Sequence, residues 1–260
     1  MDLEYIKNIG IKAAYRGGAV LRRFLGHIDG IGKKGPDNLV TEADIRSEKE
    51  IIRVIRERFP DHGVLAEEGG LQSSKDSECL WIIDPLDGTT NFAHQVPVFA
   101  VSIAFSLRGD ISCGIVLNPV SGELFYAVKG KGAYLNGKPI CVSAETDVSE
   151  SLLATGFSYD VKKDPEPVMK RFRQCLMAAR GIRRMGSAAM DLCFVACGRY
   201  DGFWEQDLKP WDTAAGALIV REAGGVVTDF SGSRHDDMDQ REILATNGHI
   251  HKDMYPLLIA

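Results

Sequence analysis

The segment Trp81–Phe92, WIIDPLDGTTNF, limits what this chain can become more than any other. Its unbroken apolar start is the mark of a central strand, covered on both faces, which calls for layers above and below a sheet. Pro85 biases Asp84 toward extended geometry and leaves its carboxylate at the strand's tip. A turn over Pro85 and Leu86 is then expected to bring Asp87 back alongside. Two carboxylates so close repel each other unless a cation lies between them. Hard divalent cations suit the pair, since Mg²⁺ takes oxygen ligands and keeps waters that a phosphate can replace. The Leu86 carbonyl offers a further oxygen, and Gly88 lets the backbone approach a ligand. Amides of Gly88, Thr89 and Thr90, entering a helical turn, would face an anion. The same residues also read more plainly as two consecutive turns, with Asp84 as a cap.

Around this segment the first third reads helix, loop, helix, strand, strand. Ile6, Ile9, Ala13, Val20 and Phe24 form the apolar stripe of an opening helix. A basic loop, GIGKKGP, follows, and Thr41 to Asp44 reads as a capping box for a second helix. That helix carries Ile45, Ile52, Ile55 and Phe59 and stops at Pro60–Gly63. Val64–Ala66 and Leu80–Ile83 are short strands. The middle is a meander of hairpins, with Asn136-Gly137 as its clearest two-residue turn. A polar stretch near residue 145 divides an N-terminal α+β half, 1–145, from a C-terminal α/β half, 146–260, the two making one catalytic unit. The second half should hold helices near 165–179 and 187–197, a strand at DGFWE, and a helix from Pro210 to Gly224-Gly225. Two sheets with interleaved helices are as far as pattern alone reaches.

Composition narrows the class of function. With 31 basic and 36 acidic residues the net charge is −5, and no long basic run is present, which disfavours nucleic acid as a partner. Arg180, Arg183 and Arg184 are the nearest thing to a basic patch, and a solvated face or subunit contact explains them as well. No apolar run approaches the ~20 residues of a membrane helix, and the charged N-terminus is neither signal peptide nor anchor. Six scattered cysteines without a CxxC pair are expected to be buried reduced thiols, and the six histidines surface residues. A cytoplasmic enzyme is the expectation. KGKGAYLNGK lacks P-loop spacing and no GxGxxG follows a strand, so neither ATP nor a dinucleotide is indicated.

Other acids occupy similar positions. Glu67 and Glu68 follow the short strand VLA; Asp44 and Asp212 stand in first helical turns, where the helix dipole alone would account for them. With DNLVTEAD, AEEGG, WIIDPLDGTTNF, GSAAMDL and WDTAAGALIVREAGG in this order, the chain resembles the inositol monophosphatases over nearly its whole length. The resemblance is to the bacterial inositol-1-monophosphatase type.

That resemblance implies an α+β fold, the layered αβαβα sandwich of the sugar phosphatases. It implies Mg²⁺ held by Glu67, Asp84, Asp87, Asp212 and the Leu86 carbonyl. Where relatives usually read Glu-Glu-Ser, this chain has Gly69 after Glu67 and Glu68. The reaction implied is hydrolysis of a phosphate monoester by water, with Thr89, Asp44 and Glu67 as the catalytic group. Two or three Mg²⁺ ions would activate the water and stabilise the departing alkoxide. Gly88, Thr89 and Thr90 would bind phosphate, and Arg183, Gly186, Ser187, Ala188, Glu205 and Asp212 would face the remainder of a small phosphorylated polyol. Glu205 could instead pair with Lys209, and Lys33 or Lys34 would lie near a metal. Lithium sensitivity and a homodimer are further family expectations. Fructose 1,6-bisphosphate, histidinol phosphate and 3′-phosphoadenosine 5′-phosphate remain rival substrates to inositol 1-phosphate. A regulatory, protein-binding role on the same fold remains open beside them.

Overall fold

The computed structural model describes residues 1–26, 32–33, 39–40, 42–72, 76–158, 160–235, 237–238 and 241–259. Helix α1 (Leu3–Phe24) is capped by Asp2, whose Oδ1 accepts the amides of Glu4 at 3.0 Å and Tyr5 at 3.1 Å. Strands β1 (Gly32–Lys33) and β2 (Leu39–Val40) form a small antiparallel pair. Next come α2 (Glu42–Arg56), β3 (His62–Ala66), β4 (Gly70–Gln72), β5 (Asp76–Asp87) and the short α3 (Thr89–Ala93). The meander comprises β6 (Ala100–Leu107), β7 (Asp110–Leu117), β8 (Leu124–Val128), β9 (Ala133–Leu135) and β10 (Lys138–Ile140). Asn136 and Gly137 join the last two strands, both with positive φ, as a type I′ hairpin turn requires. The chain continues with β11 (Leu152–Thr155), α4 (Glu166–Ala178), β12 (Gly181–Arg183), α5 (Ala188–Ala196) and β13 (Gly202–Glu205). It ends with α6 (Pro210–Glu222), β14 (Val226–Thr228), β15 (Ile243–Thr246) and α7 (His251–Leu258).

Strands β3 to β10 make an eight-stranded sheet in the order β10-β9-β8-β7-β6-β5-β3-β4, antiparallel except where β3 runs beside β5. The second sheet has the order β12-β11-β13-β15-β14, with β11 parallel to both its neighbours. Side-chain alternation along the strands decides what each face meets. In the larger sheet Trp81, Ile83, Ile103, Phe105, Ile115 and Leu117 pack against α1 and α2. Their neighbours Ile82, Ala100, Ala104 and Val116 pack against α5 and α6. In the smaller sheet Ala154, Phe203 and Ala245 face that same helical layer, whereas Leu153, Trp204 and Leu244 face α4 and α7. The order is therefore helices, sheet, helices, sheet, helices, the αβαβα sandwich expected from the resemblance. Small residues let the middle layers close up: a Cβ on Gly114 of β7 would sit 2.6 Å from the Ala215 carbonyl of α6.

Several local expectations are corrected. The buried face of α1 runs through Ile6, Ile9, Ala13 and Leu21 together with Gly10, Gly17 and Gly18, while Val20 and Phe24 are only half-buried. The glycines are there because α2 crosses closely; a Cβ on Gly17 would meet Ile51 at 2.7 Å. On α2 itself the buried residues are Ala43, Asp44, Ser47, Glu48, Ile51, Val54 and Ile55, and Ile45 is exposed. This helix ends at Arg56, so Phe59 lies beyond it and stacks on His62, 4.6 Å between ring centroids. Thr41, Lys34 and the Lys33 side chain lie outside the described part of the structure, and the Lys33 backbone pairs with Leu39. Not all histidines are superficial: His62 accepts the Trp81 indole N–H at 3.2 Å, and His235 and His251 are buried. All six cysteines are free and four are buried, but Cys141 is exposed. Among the described residues no helix is long and apolar enough to cross a membrane.

Candidate active site

Asp84 and Asp87 do not flank a turn that follows a strand; both belong to β5, which carries the chain through Pro85. Asp84 pairs with Ser102 and Asp87 with Ala100, so three steps along β5 match two along β6. In a regular strand, residues three apart point to opposite faces. The extra residue of this bulge restores a common face, and both carboxylates turn toward α5 and α6. The amide of Leu86 closes the bulge by donating to Asp84 Oδ1 at 2.9 Å, and Thr89 Oγ1 donates to the Leu86 carbonyl at 3.2 Å. From the second half, Ser187 caps α5 by accepting the Met190 amide, and its hydroxyl donates to Asp87 Oδ2 at 2.6 Å. The Ala189 amide donates to the same oxygen at 2.8 Å. Asp87 is thus held by both halves of the chain.

The remaining acids arrive from separate elements. Glu67 follows β3, and its amide donates to the Ile83 carbonyl at 3.1 Å, one residue before Asp84. Asp44, buried on α2, shares a cluster with Glu67 and Glu68 in which ligand oxygens all lie within 4.8 Å of one another. Asp212 stands in the first turn of α6, and its Oδ2 accepts the Lys209 amide at 2.7 Å in a capping box. Glu205 ends β13, and its carboxylate presses against Gly156, where any side chain would collide with it. Glu67, Asp84, Asp87, Glu205 and Asp212, with Leu86, Gly88, Thr89 and Thr90, line one cavity of ≈ 1010 Å³.

Asp84, Asp87, Glu205 and Asp212 are all shifted the same way. Asp84 is pushed well above the usual carboxylate range by burial, then by Glu67, Asp87, Asp212 and Asp44. Burial raises Asp87 to about 6 although the Ser187 hydroxyl and the Ala189 amide oppose the shift. Burial and Asp87 raise Asp212, and burial and Asp212 take Glu205 to about 8 with only Arg184 opposing. Buried oxygen donors that raise one another's pKa suit a hard divalent cation, whose charge would offset their repulsion. The donor set therefore fits such an ion: Glu67, Asp84, Asp87, Asp212 and the Leu86 carbonyl could hold it.

Not every expected residue reaches the cavity. Gly186 and Ala188 line it, but Ser187 does not, because its hydroxyl is spent on Asp87 and the α5 cap. Arg183 is an exposed residue at the end of the edge strand β12 and is absent from the cavity wall. Its neighbour Arg184 lines the cavity instead, 5.7 Å over the Phe157 ring, and its charge opposes the rise of Glu205. Arg180 pairs with Glu150 away from the site. Sequence reading also passed over Asn91, whose amide donates to the carbonyls of Val98 at 2.6 Å and Met185 at 2.7 Å and so ties α3 to the loop before α5. Asp191 was overlooked too. It is fully buried on α5 and raised well above its ordinary range by burial and by Glu205.

Acids from four elements converging on one hydroxyl-bearing turn is an arrangement shared beyond this molecule. An inositol-1-monophosphatase from Synechocystis sp. is 45% identical over 260 residues, covering 100% of this chain and 90% of that protein. A protein of Pseudomonas aeruginosa named Nus factor SuhB is 44% identical over 251 residues, covering 94% of this chain and 92% of its own. The solved inositol monophosphatase of Anabaena superposes with a TM-score of 0.91 at 42% identity, covering 100% of this chain and 97% of that one. A family model spans residues 2–260. The chain therefore shares its overall fold with that solved structure and belongs to the inositol monophosphatase family.

Proposed function

We propose that this phosphatase hydrolyses a small polyol phosphate monoester, inositol 1-phosphate before others, by direct attack of water with a divalent cation of the Mg²⁺ kind. The observation that carries the proposal is the convergence of Glu67, Asp84, Asp87 and Asp212 on the floor of a cavity whose wall bears Glu205. Bound there, the cation would supply Lewis acidity toward phosphate and a lowered pKa for water. The chain's own residues have distinct tasks. The Thr89 hydroxyl, whose single proton goes to the Leu86 carbonyl in the structure, would have to turn to donate to the Asp44 carboxylate instead; it would then accept a hydrogen bond from the attacking water and relay its proton. Glu67 holds that water in line with phosphorus. Amides of Gly88, Thr89 and Thr90 receive the phosphate oxygens as negative charge grows on them. The ester P–O bond breaks, and the alcohol leaves with a proton from solvent. Glu205 accepts hydrogen bonds from ring hydroxyls, with Arg184 completing that wall.

A panel of inositol 1-phosphate, fructose 1,6-bisphosphate, histidinol phosphate and 3′-phosphoadenosine 5′-phosphate, assayed with Mg²⁺ and with EDTA, tests the reading. Inositol 1-phosphate should show the highest kcat/KM, and EDTA should abolish turnover of every ester. Activity that survives EDTA removes the metal, and a faster rival ester replaces the substrate. The homodimer and the cytoplasmic setting expected of such enzymes belong to the same proposal, and light scattering of the purified protein checks the first. A second reading is favoured by the relative named Nus factor SuhB: a regulatory role on this scaffold. The two separate cleanly, because Asp87→Asn should end hydrolysis and leave any protein partnership intact.

A further inference from the structure

Two adjacent residues of α2 reach the two segments that carry the candidate ligands. Ser47 is fully buried, and its hydroxyl donates to the Pro85 carbonyl at 3.1 Å, inside the bulge between Asp84 and Asp87. Glu48 is 6% exposed, and its Oε2 accepts the Glu68 amide at 2.9 Å. A backbone N–H donating to a buried carboxylate fixes the path of the chain at that point, since charge-assisted bonds of this kind are short and directional. Glu67, immediately before, has its amide tied to the Ile83 carbonyl of β5. The segment 67–68 is therefore pinned at one end to β5 and at the other to α2. Gly69 is the residue that admits the carboxylate: a Cβ there would lie 2.8 Å from Glu48 Oε1.

Ordinary helix packing does not need this arrangement. A buried acid on an interior helical face is costly, and a leucine would fill the same space without that cost. What the acid provides is orientation of a neighbouring backbone. We propose that Glu48 is a positioning residue of the metal site, holding the Glu67–Gly69 turn so that the Glu67 carboxylate meets the Asp84–Asp87 bulge, which Ser47 holds in turn. This rests on the reading that Glu67, Asp84 and Asp87 bind a divalent cation. Groups that orient ligands from behind commonly change metal affinity by about 10-fold or more when removed.

The test compares wild type, Glu48→Gln, Gly69→Ala and the exposed α2 control Glu50→Gln. Mg²⁺ binding is measured by calorimetry, the Mg²⁺ dependence of phosphatase turnover by steady-state kinetics, and backbone amide exchange of the EDTA-treated proteins by mass spectrometry. Glu48→Gln should weaken Mg²⁺ binding about 10-fold. Saturating Mg²⁺ should restore kcat to within about twofold, with the substrate KM unchanged, and exchange at 68 should accelerate. Gly69→Ala, which crowds the same carboxylate without touching an acid, should shift Mg²⁺ binding the same way and keeps the question answerable if Glu48→Gln does not fold. Glu50→Gln should match wild type. A fall in Tm with unaltered Mg²⁺ affinity in both variants would overturn the inference and leave Glu48 as mere packing. Wild-type protein that takes up no Mg²⁺ would overturn the metal reading and this inference together, so the two failures are distinguishable.

Discussion

The floor of the cavity and its outer wall are built from opposite materials. The floor, from β5, the residues after β3 and the start of α6, is dominated by acids, Glu67, Asp84, Asp87 and Asp212, with Lys209 at the N-cap of α6 as a nearby positive charge. The wall alternates signs, with Lys162, Lys163, Arg184 and Arg241 beside Asp160 and Glu205. Within that wall Lys163 pairs with Asp160 at 2.7 Å, and Arg184 opposes the rise of Glu205. A surface mostly of one sign stays under tension until a cation relieves it, whereas a mixed surface neutralises itself and is free to vary. The contrast suggests that reaction chemistry is confined to the floor and choice of substrate to the wall.

The most severe way to break the comparison is on the floor. Asp87→Asn removes one charge from the donor set while leaving oxygen for Ser187 and Ala189 to address, and should lower kcat/KM by about 1000-fold or more. Circular dichroism should show an intact fold; an active variant would move the chemistry elsewhere. Thr89→Ala keeps all four acids but removes the hydroxyl beside Leu86. A loss of about 100-fold in kcat at saturating Mg²⁺, with little change in Mg²⁺ affinity, is expected from steady-state kinetics. A wall substitution should behave differently: Glu205→Gln should raise the KM for inositol 1-phosphate by about 10-fold and hold kcat within about threefold. An equal fall in kcat would erase the distinction between floor and wall.

The mildest effect is on stability in EDTA. Glu205 lies at about 8 in the folded protein against an ordinary 4.5, so the folded state binds its proton more tightly. The stability this proton confers is complete below the unfolded value and is lost as pH rises through 8. Metal-free protein should therefore melt lower at pH 8.5 than at pH 5, and Glu205→Gln should flatten that slope by roughly 5 °C in a calorimetric scan. A variant with an unchanged slope would transfer the effect to the floor, where Asp87 at about 6 titrates in the same direction.

How much of this was legible in the sequence depends on what each feature answers to. Asp84, Asp87 and Asp212 are legible through the motifs that carry the family resemblance, because singly an acid in a turn or in a first helical turn has a purely structural account. The bulge that aligns Asp84 with Asp87 is invisible there, because it is defined by pairing with Ser102 and Ala100 of another strand. On α2, hydrophobic periodicity picks out Ile55, which is buried, and Ile52, which packs at the core's edge, but Ile45 is exposed and the interior face is partly polar, with Asp44, Ser47 and Glu48 on it. Arg183 is exposed at the end of β12, where a subunit contact also suits it, while Arg184 lines the cavity. At the end of a short strand one residue exchanges the two faces, and nothing local says which is outward. Ser187 was found as a substrate contact, yet its hydroxyl is engaged one layer deeper, on Asp87.

The near contact of Gly114 with the backbone at Ala215 bears on how such a molecule can change over generations. A fragment ending at residue 145 would keep the larger sheet but strip the cover from one of its faces, and the complementary fragment would keep α6 beside α5 and the smaller sheet but expose the face that packs on β6, β7 and β8. The halves are poor candidates for exchange between relatives as separate cassettes. New preferences among esters would have to arise by single replacements or loop swaps along the rim, with the buried layers passed on whole.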